Sequence, residues 1–129
     1  MSEKQKLLIV DDSELNRDIL KEILGSRYDY MEAENGTQAI QILEVHPEID
    51  LMLLDINMPQ MNGFQVLEHM RELQWIDEVP VVMISSEESV EIMRKAYDLG
   101  ITDYISRPFD AVIVKKRVQN TLGLYENQK

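Results

Sequence analysis

Leu7–Glu14 reads LLIVDDSE: four apolar residues in a row, then two adjacent carboxylates. A short continuous apolar run of this kind fits a strand buried on both faces, as in a parallel sheet covered by helices. Leu51–Pro59, LMLLDINMP, repeats the design and ends its run on Asp55. An unpaired carboxylate inside such a sheet is costly, so both runs place acids where a buried strand stops.

The rest of the chain alternates around these two runs. SELNRDILKEILGS carries Leu15, Ile19 and Ile23 at helical spacing with Leu20 and Leu24 beside them. Asp12 or Ser13 can cap that helix and Gly25 ends it. YDYMEAE, residues 28–34, alternates like a more exposed strand, and Asn35-Gly36 leads into TQAIQILEVH with Ala39, Ile40 and Leu43 on one face. After Asp55, NMPQMNG is a loop by its Pro, Asn and Gly. FQVLEHMRELQ then groups Phe64, Leu67 and Met70 on a helix, and VPVVMIS (79–85) is a buried strand. ESVEIMRKAYDLG is a helix with Val90, Met93 and Tyr97 inward, followed by the short strand TDYIS. Asp110 opens a last helix with Val114, Val118 and Leu122 inward. Five strands and five helices in strict alternation predict an α/β fold, a doubly wound parallel sheet with helices on both faces. Right-handed crossovers bring every strand's carboxyl end to one edge, where ligands of such sheets bind.

The 129 residues suit one domain with a core of its own. There are no cysteines, hence no disulfide framework and no thiolate chemistry. A formal charge of -11 argues against direct nucleic-acid binding, which needs a basic footprint. No apolar run has the length of a bilayer span, the start MSEKQK has no signal-peptide character, and a cytoplasmic location is expected. His46 and His69 have no partners at metal-ligand spacing, and Trp75 reads as cover for the core edge.

If the strand order reverses beside the first strand, Asp11, Asp12 and Asp55 converge. Close negative charges raise one another's pKa unless a cation joins them, and Mg²⁺ is the hard, oxygen-seeking ion for such a place. Ser85 ends the fourth strand with a hydroxyl, and Arg107-Pro108 follows the fifth with a cation. Carboxylates, a metal, a hydroxyl and a cation suit a phosphoryl group, and a carboxylate can itself be the nucleophile that takes it.

LIVDDSELNR, LMLLDINMPQMNGFQVL, PVVMISS and DYISRPF, in this order and spacing, resemble the receiver domain of bacterial two-component response regulators, of the chemotaxis-regulator kind. The likeness runs from about Lys6 to Leu122. It implies a flavodoxin-like (βα)5 sheet of order 2-1-3-4-5. It also implies that Asp55 accepts a phosphoryl group, and that Mg²⁺ contacts Asp12, Asp55 and the backbone carbonyl of Asn57, with Asp11 acting through water. Ser85 matches the switch hydroxyl and Tyr104 the aromatic that turns inward with it. Pro59 and Gly63 match the rim of the site. Arg107 stands where the family usually has Lys; it keeps the charge but offers a planar fork.

By the same likeness the chain is a regulatory switch rather than an enzyme. Its phosphodonor is a sensor histidine kinase or phosphotransfer protein. The state is read on the face of the fourth helix, fifth strand and fifth helix (Ile92–Leu99, Thr102–Ile105, Val112–Leu122), through which many relatives form homodimers. Residues 1–122 make the receiver. Residues 123–129 form a tail that reads either as a fraying end or as the start of a linker helix to a C-terminal output domain. Gly123 weighs against continuity.

Three rivals are weighed against this reading. An aspartyl phosphatase would want a second acid two residues past the nucleophile, and Asn57 stands there. A flavin carrier would want a hydroxyl- and Gly-rich loop after the first strand, where DDSELN repels phosphate. A receiver that never takes phosphate is favoured only by Arg107.

Overall fold

The computed structural model describes residues 4–58, 61–86 and 89–126. Pro59, the Glu87-Glu88 pair (expected as a solvated helix start), residues 127–129 and the side chain of Tyr125 lie outside the described residues. In chain order the elements are β1 (Lys6–Val10), α1 (Glu14–Leu24), β2 (Asp29–Ala33), α2 (Gly36–Val45), β3 (Leu51–Asp55), α3 (Gly63–Glu72), β4 (Val81–Ser85), α4 (Val90–Asp98), β5 (Asp103–Ser106) and α5 (Ala111–Glu126). All strand pairs are parallel, in the order β2-β1-β3-β4-β5. The expected doubly wound order is therefore the observed one, and the reversal falls between β1 and β3.

The runs that lead into Asp11 and Asp55 form the middle of the sheet. Leu7, Leu8, Ile9 and Val10 are fully buried, as are Leu51 through Leu54. Strand alternation sends Leu8, Val10, Met52, Leu54, Val81 and Met83 to a core shared with α2, α3 and α4. It sends Leu7, Ile9, Leu51, Leu53, Val82 and Ile84 to a second core under α1 and α5. Each helix starts on a side-chain cap. Ser13 accepts from the Asn16 N–H, Asn35 from Gln38, Asn62 from Gln65 in a capping box, Ser89 from Ile92, and Asp110 from Val112 and Ile113. Gly25 closes α1 with φ 79, a conformation that Gly adopts without a Cβ penalty.

One helix, α4, turns a different stripe inward than expected, and α1 buries only part of its apolar spacing. On α1 the buried residues are Arg17, Leu20 and Leu24, while Leu15 is 68% exposed. On α4 the buried residue is Ala96, with Ile92 and Leu99 packed against the core beside it, and Val90 and Tyr97 are exposed. Each helix carries two apolar stripes, and only one can face the sheet. The small Ala96 lets α4 approach closely, and the larger stripe stays outside. At the other end α5 continues through Gly123 to Glu126. Among the described residues no helix is long and apolar enough to cross a membrane.

Candidate functional site

The carboxyl edge of the sheet is built by register. Val10 pairs with Leu54, so the residues after them, Asp11 and Asp55, sit side by side across the reversal. Asp11 is held by its backbone from both sides. Its N–H donates to Ala33 O at 3.1 Å, and its carbonyl accepts from Arg17 Nη1 at 2.6 Å. Its Oδ1 accepts from the Ser13 N–H at 2.9 Å. Asp55 Oδ1 accepts from the Asn57 N–H at 3.2 Å. Asp11 and Asp55 are buried and Asp12 is exposed.

One carboxylate oxygen from each of Asp11, Asp12 and Asp55 lies within 4.8 Å of the others. Arg107 joins them from the turn after β5, where the Arg107-Pro108 peptide is cis. Its Nη2 donates to Asp11 Oδ2 at 2.5 Å and lies 3.3 Å from Asp55 Oδ2. Its Nε is buried without a hydrogen-bond partner among the described residues. One guanidinium among three carboxylates leaves the cluster net negative. Burial pushes the Asp55 carboxyl up to about 6, and the neighbouring Asp11 charge adds to that. Arg107 and the Asn57 N–H pull the other way without cancelling it. The donor set is all carboxylate oxygen with no nitrogen or sulfur, which fits a hard divalent ion such as Mg²⁺.

Ser85 ends β4 one residue beyond the Asp55–Ile84 pair and is buried. Tyr104 pairs with Met83, two residues before Ser85, so Tyr104 and Ser85 share a sheet face. Tyr104 belongs to the edge strand and stands outside the acidic cluster. Gly63 is buried under the β3 end: its N–H donates to Ile56 O at 2.9 Å, and a Cβ there would meet Asp55 O at 2.6 Å.

Arg17 went unnoticed in the sequence. It is 7% exposed, and besides the Asp11 carbonyl it bonds Glu32 Oε1 through Nε at 2.9 Å. Lys21 reaches the same carboxylate at 2.9 Å, and its hydrogen bond does most to hold the Glu32 pKa below the usual range. The signal was present: Arg17, Leu20 and Leu24 follow helical spacing, so the Arg lies on the inward stripe.

Residues 7–119 match the family model of the response regulator receiver domain. The chain belongs to this family. The receiver is 35% identical over 120 residues to the chemotaxis protein CheY1 of Helicobacter pylori, covering 92% of this chain and 97% of that protein. It is similar in structure to the chemotaxis protein CheY4 of Vibrio cholerae, with a TM-score of 0.85 and 27% identity over 92% of this chain and 99% of that one. It also superposes on a two-component response regulator/GGDEF domain protein with a TM-score of 0.88 and 27% identity, covering 95% of this chain and 51% of that one. The receiver thus spans about half of that relative. Receiver domains are regulatory switches of two-component systems, and the fold and family of this chain place it among them.

Proposed function

We propose that the receiver takes a phosphoryl group on Asp55 from the phosphohistidine of a sensor kinase or phosphotransfer protein, and that the acyl phosphate is its signal. The observation that carries this reading is the convergence of Asp11, Asp12 and Asp55 within 4.8 Å at the carboxyl edge. An Asp55 oxygen attacks phosphorus; the O–P bond forms as the N–P bond of the donor breaks, and its electron pair returns to the imidazole, which takes up a proton. With a pKa near 6, Asp55 is mostly ionised at neutral pH and can serve as the nucleophile.

Asp12, Asp55 and the Asn57 carbonyl would hold Mg²⁺, with Asp11 reaching it through water. Bound there, the ion would neutralise charge on the phosphoryl oxygens. Arg107 orients the phosphoryl group: its Nε, without a partner among the described residues, and its Nη2 give two donors in one plane. Ser85 donates its hydroxyl to a phosphoryl oxygen, and Tyr104 follows on the same sheet face. The change is read on α4, β5 and α5, where Val90, Tyr97, Val112 and Ile113 are exposed. That face suits a downstream partner or a second copy of the chain. Residues 1–122 act as the receiver, and α5 beyond Leu122 serves as the start of a connection to an output domain.

The test is intact mass after incubation with acetyl phosphate, with Mg²⁺ or with chelator. The expected result is one added phosphoryl mass that requires both Mg²⁺ and Asp55, and is absent in Asp55→Asn. A folded, Mg²⁺-binding protein that gains no mass and no beryllofluoride response would instead be a receiver that works by binding alone. The ion pair of Arg107 with Asp11 and Asp55 favours that second reading, since it closes the acidic cluster with a side chain.

A further inference from the structure

Arg117 of α5 reaches around the open edge of the sheet. Alternation puts Ile105 in the core under α5, so Asp103 points to that side as well, while Tyr104 packs with the core on the α4 side. Arg117 Nη1 donates to Asp103 Oδ1 at 2.6 Å. The same oxygen accepts the Tyr104 N–H at 2.8 Å. With Asp103 fixing it, the guanidinium carbon stands 5.3 Å from the centre of the Tyr104 ring, within cation–π range. Asp103, Tyr104 and Arg117 close a small network across the edge strand. A cavity of about 130 Å³ lies beside it, lined by Tyr104, Ile105, Ser106, Ile113 and Arg117 among others. Tyr97 of α4 borders the network: burial pushes its phenol pKa up, the Asp103 charge adds to this, and the Arg117 charge opposes it.

We propose that Arg117 is a positioning residue for Tyr104, a clasp from α5 that holds the ring at the sheet edge until the site is phosphorylated. This rests on the reading of Tyr104 as the switch aromatic. A ring that turns inward leaves the guanidinium, so the clasp favours the resting arrangement by the strength of that contact. Because the same guanidinium is bonded to Asp103, the hold on Tyr104 is also a link between α5 and β5. A partner that draws Arg117 away on α5 loosens Tyr104, and a ring already turned inward frees Arg117 for that partner.

The experiment labels the full chain with 3-fluorotyrosine and follows the Tyr104 ¹⁹F signal, assigned with Tyr104→Phe. Spectra are taken without ligand and with Mg²⁺ and beryllofluoride. In Arg117→Gln without ligand, the Tyr104 signal is expected to move toward its beryllofluoride position. The inward population should rise about two- to five-fold, the change that an exposed cation–π contact supports. Asp103→Asn, which keeps the Arg117 charge but weakens its anchor, is expected to move the signal in the same direction by less. It serves in place of Arg117→Gln if that variant does not fold. A Tyr104 signal that stays at the wild-type position in the variants, yet still answers beryllofluoride, overturns the clasp. A wild-type signal that does not answer beryllofluoride overturns the switch reading and the clasp's role with it. That failure is seen in the wild type alone, so the two are told apart.

Discussion

The guanidinium of Arg107 donates to Asp11 at 2.5 Å while lying 3.3 Å from Asp55, so one cation stands against two buried carboxylates. The main energetic consequence of such a pair appears when one partner is lost, because the other is left desolvated and unpaired. Arg107→Met in chelator at neutral pH is therefore expected to lower stability by ~2 kcal/mol, below the fully buried range because Arg107 is partly exposed. Added Mg²⁺ should recover more stability in the variant than in the wild type, since the ion replaces the missing charge. Urea unfolding with and without Mg²⁺ measures both effects. An unchanged midpoint in chelator would mean that the carboxylates do not depend on this cation.

Asp55 gives the metal-free protein a pH dependence with a definite sign. Burial and Asp11 raise its pKa from 3.8 to about 6. Between those values the native state holds a proton that the unfolded chain has released, so stability falls as pH rises through that window. The full shift corresponds to at most ~3 kcal/mol. Asp55→Asn in chelator should then be more stable than the wild type at neutral pH, with the advantage shrinking as the pH falls below about 6. Parallel curves for the two proteins across the range would count against a raised native pKa.

Gly63 fits where no side chain can. A Cβ would stand 2.6 Å from Asp55 O and 2.8 Å from Ile56 Cα, both backbone atoms that cannot rotate away. Gly63→Ala must shift the end of β3, at a cost of about 1–3 kcal/mol. The same shift displaces the Asp55 carboxylate, so phosphoryl uptake from acetyl phosphate should slow even at temperatures where the variant is fully folded. Wild-type uptake in a destabilised Gly63→Ala would show that the acceptor tolerates movement of its strand end.

The sheet was legible because two of its buried strands are pure apolar runs that end abruptly in acids. Leu7–Val10 and Leu51–Leu54 could hardly be placed elsewhere, and the carboxylates after them locate the edge where the site forms. Helix faces were less legible for a physical reason. On α4 the stripes Val90-Met93-Tyr97 and Ile92-Ala96-Leu99 are both apolar, and the choice falls to close packing around Ala96, which no single residue announces. Arg17 was hidden by the same ambiguity on α1: a charged residue on the inward stripe is unusual, and its partners, the Asp11 carbonyl and Glu32, come from other elements. The spatial pairing of Arg107 with Asp11 spans 96 residues and joins the ends of two strands that are not neighbours in the sheet.

The C-terminal helix supplies the last test. Gly123 weighed against continuity without deciding it, and α5 runs through this position to Glu126, with Leu122 buried just before it. A Cβ at Gly123 meets nothing within 4 Å, and the residue is not among those with positive φ. Here Ala has room and ordinary helical geometry, so it restrains the unfolded chain without straining the native one. Gly123→Ala is expected to add about 0.5–1 kcal/mol, or roughly 2–5 °C in Tm for a domain of this size. Calorimetry on the two proteins decides it. A Tm unchanged by the substitution would mean that the last turn of α5 contributes nothing to the cooperative unit, and that a segment beyond it would be joined to the receiver through a frayed connection rather than a continuous helix.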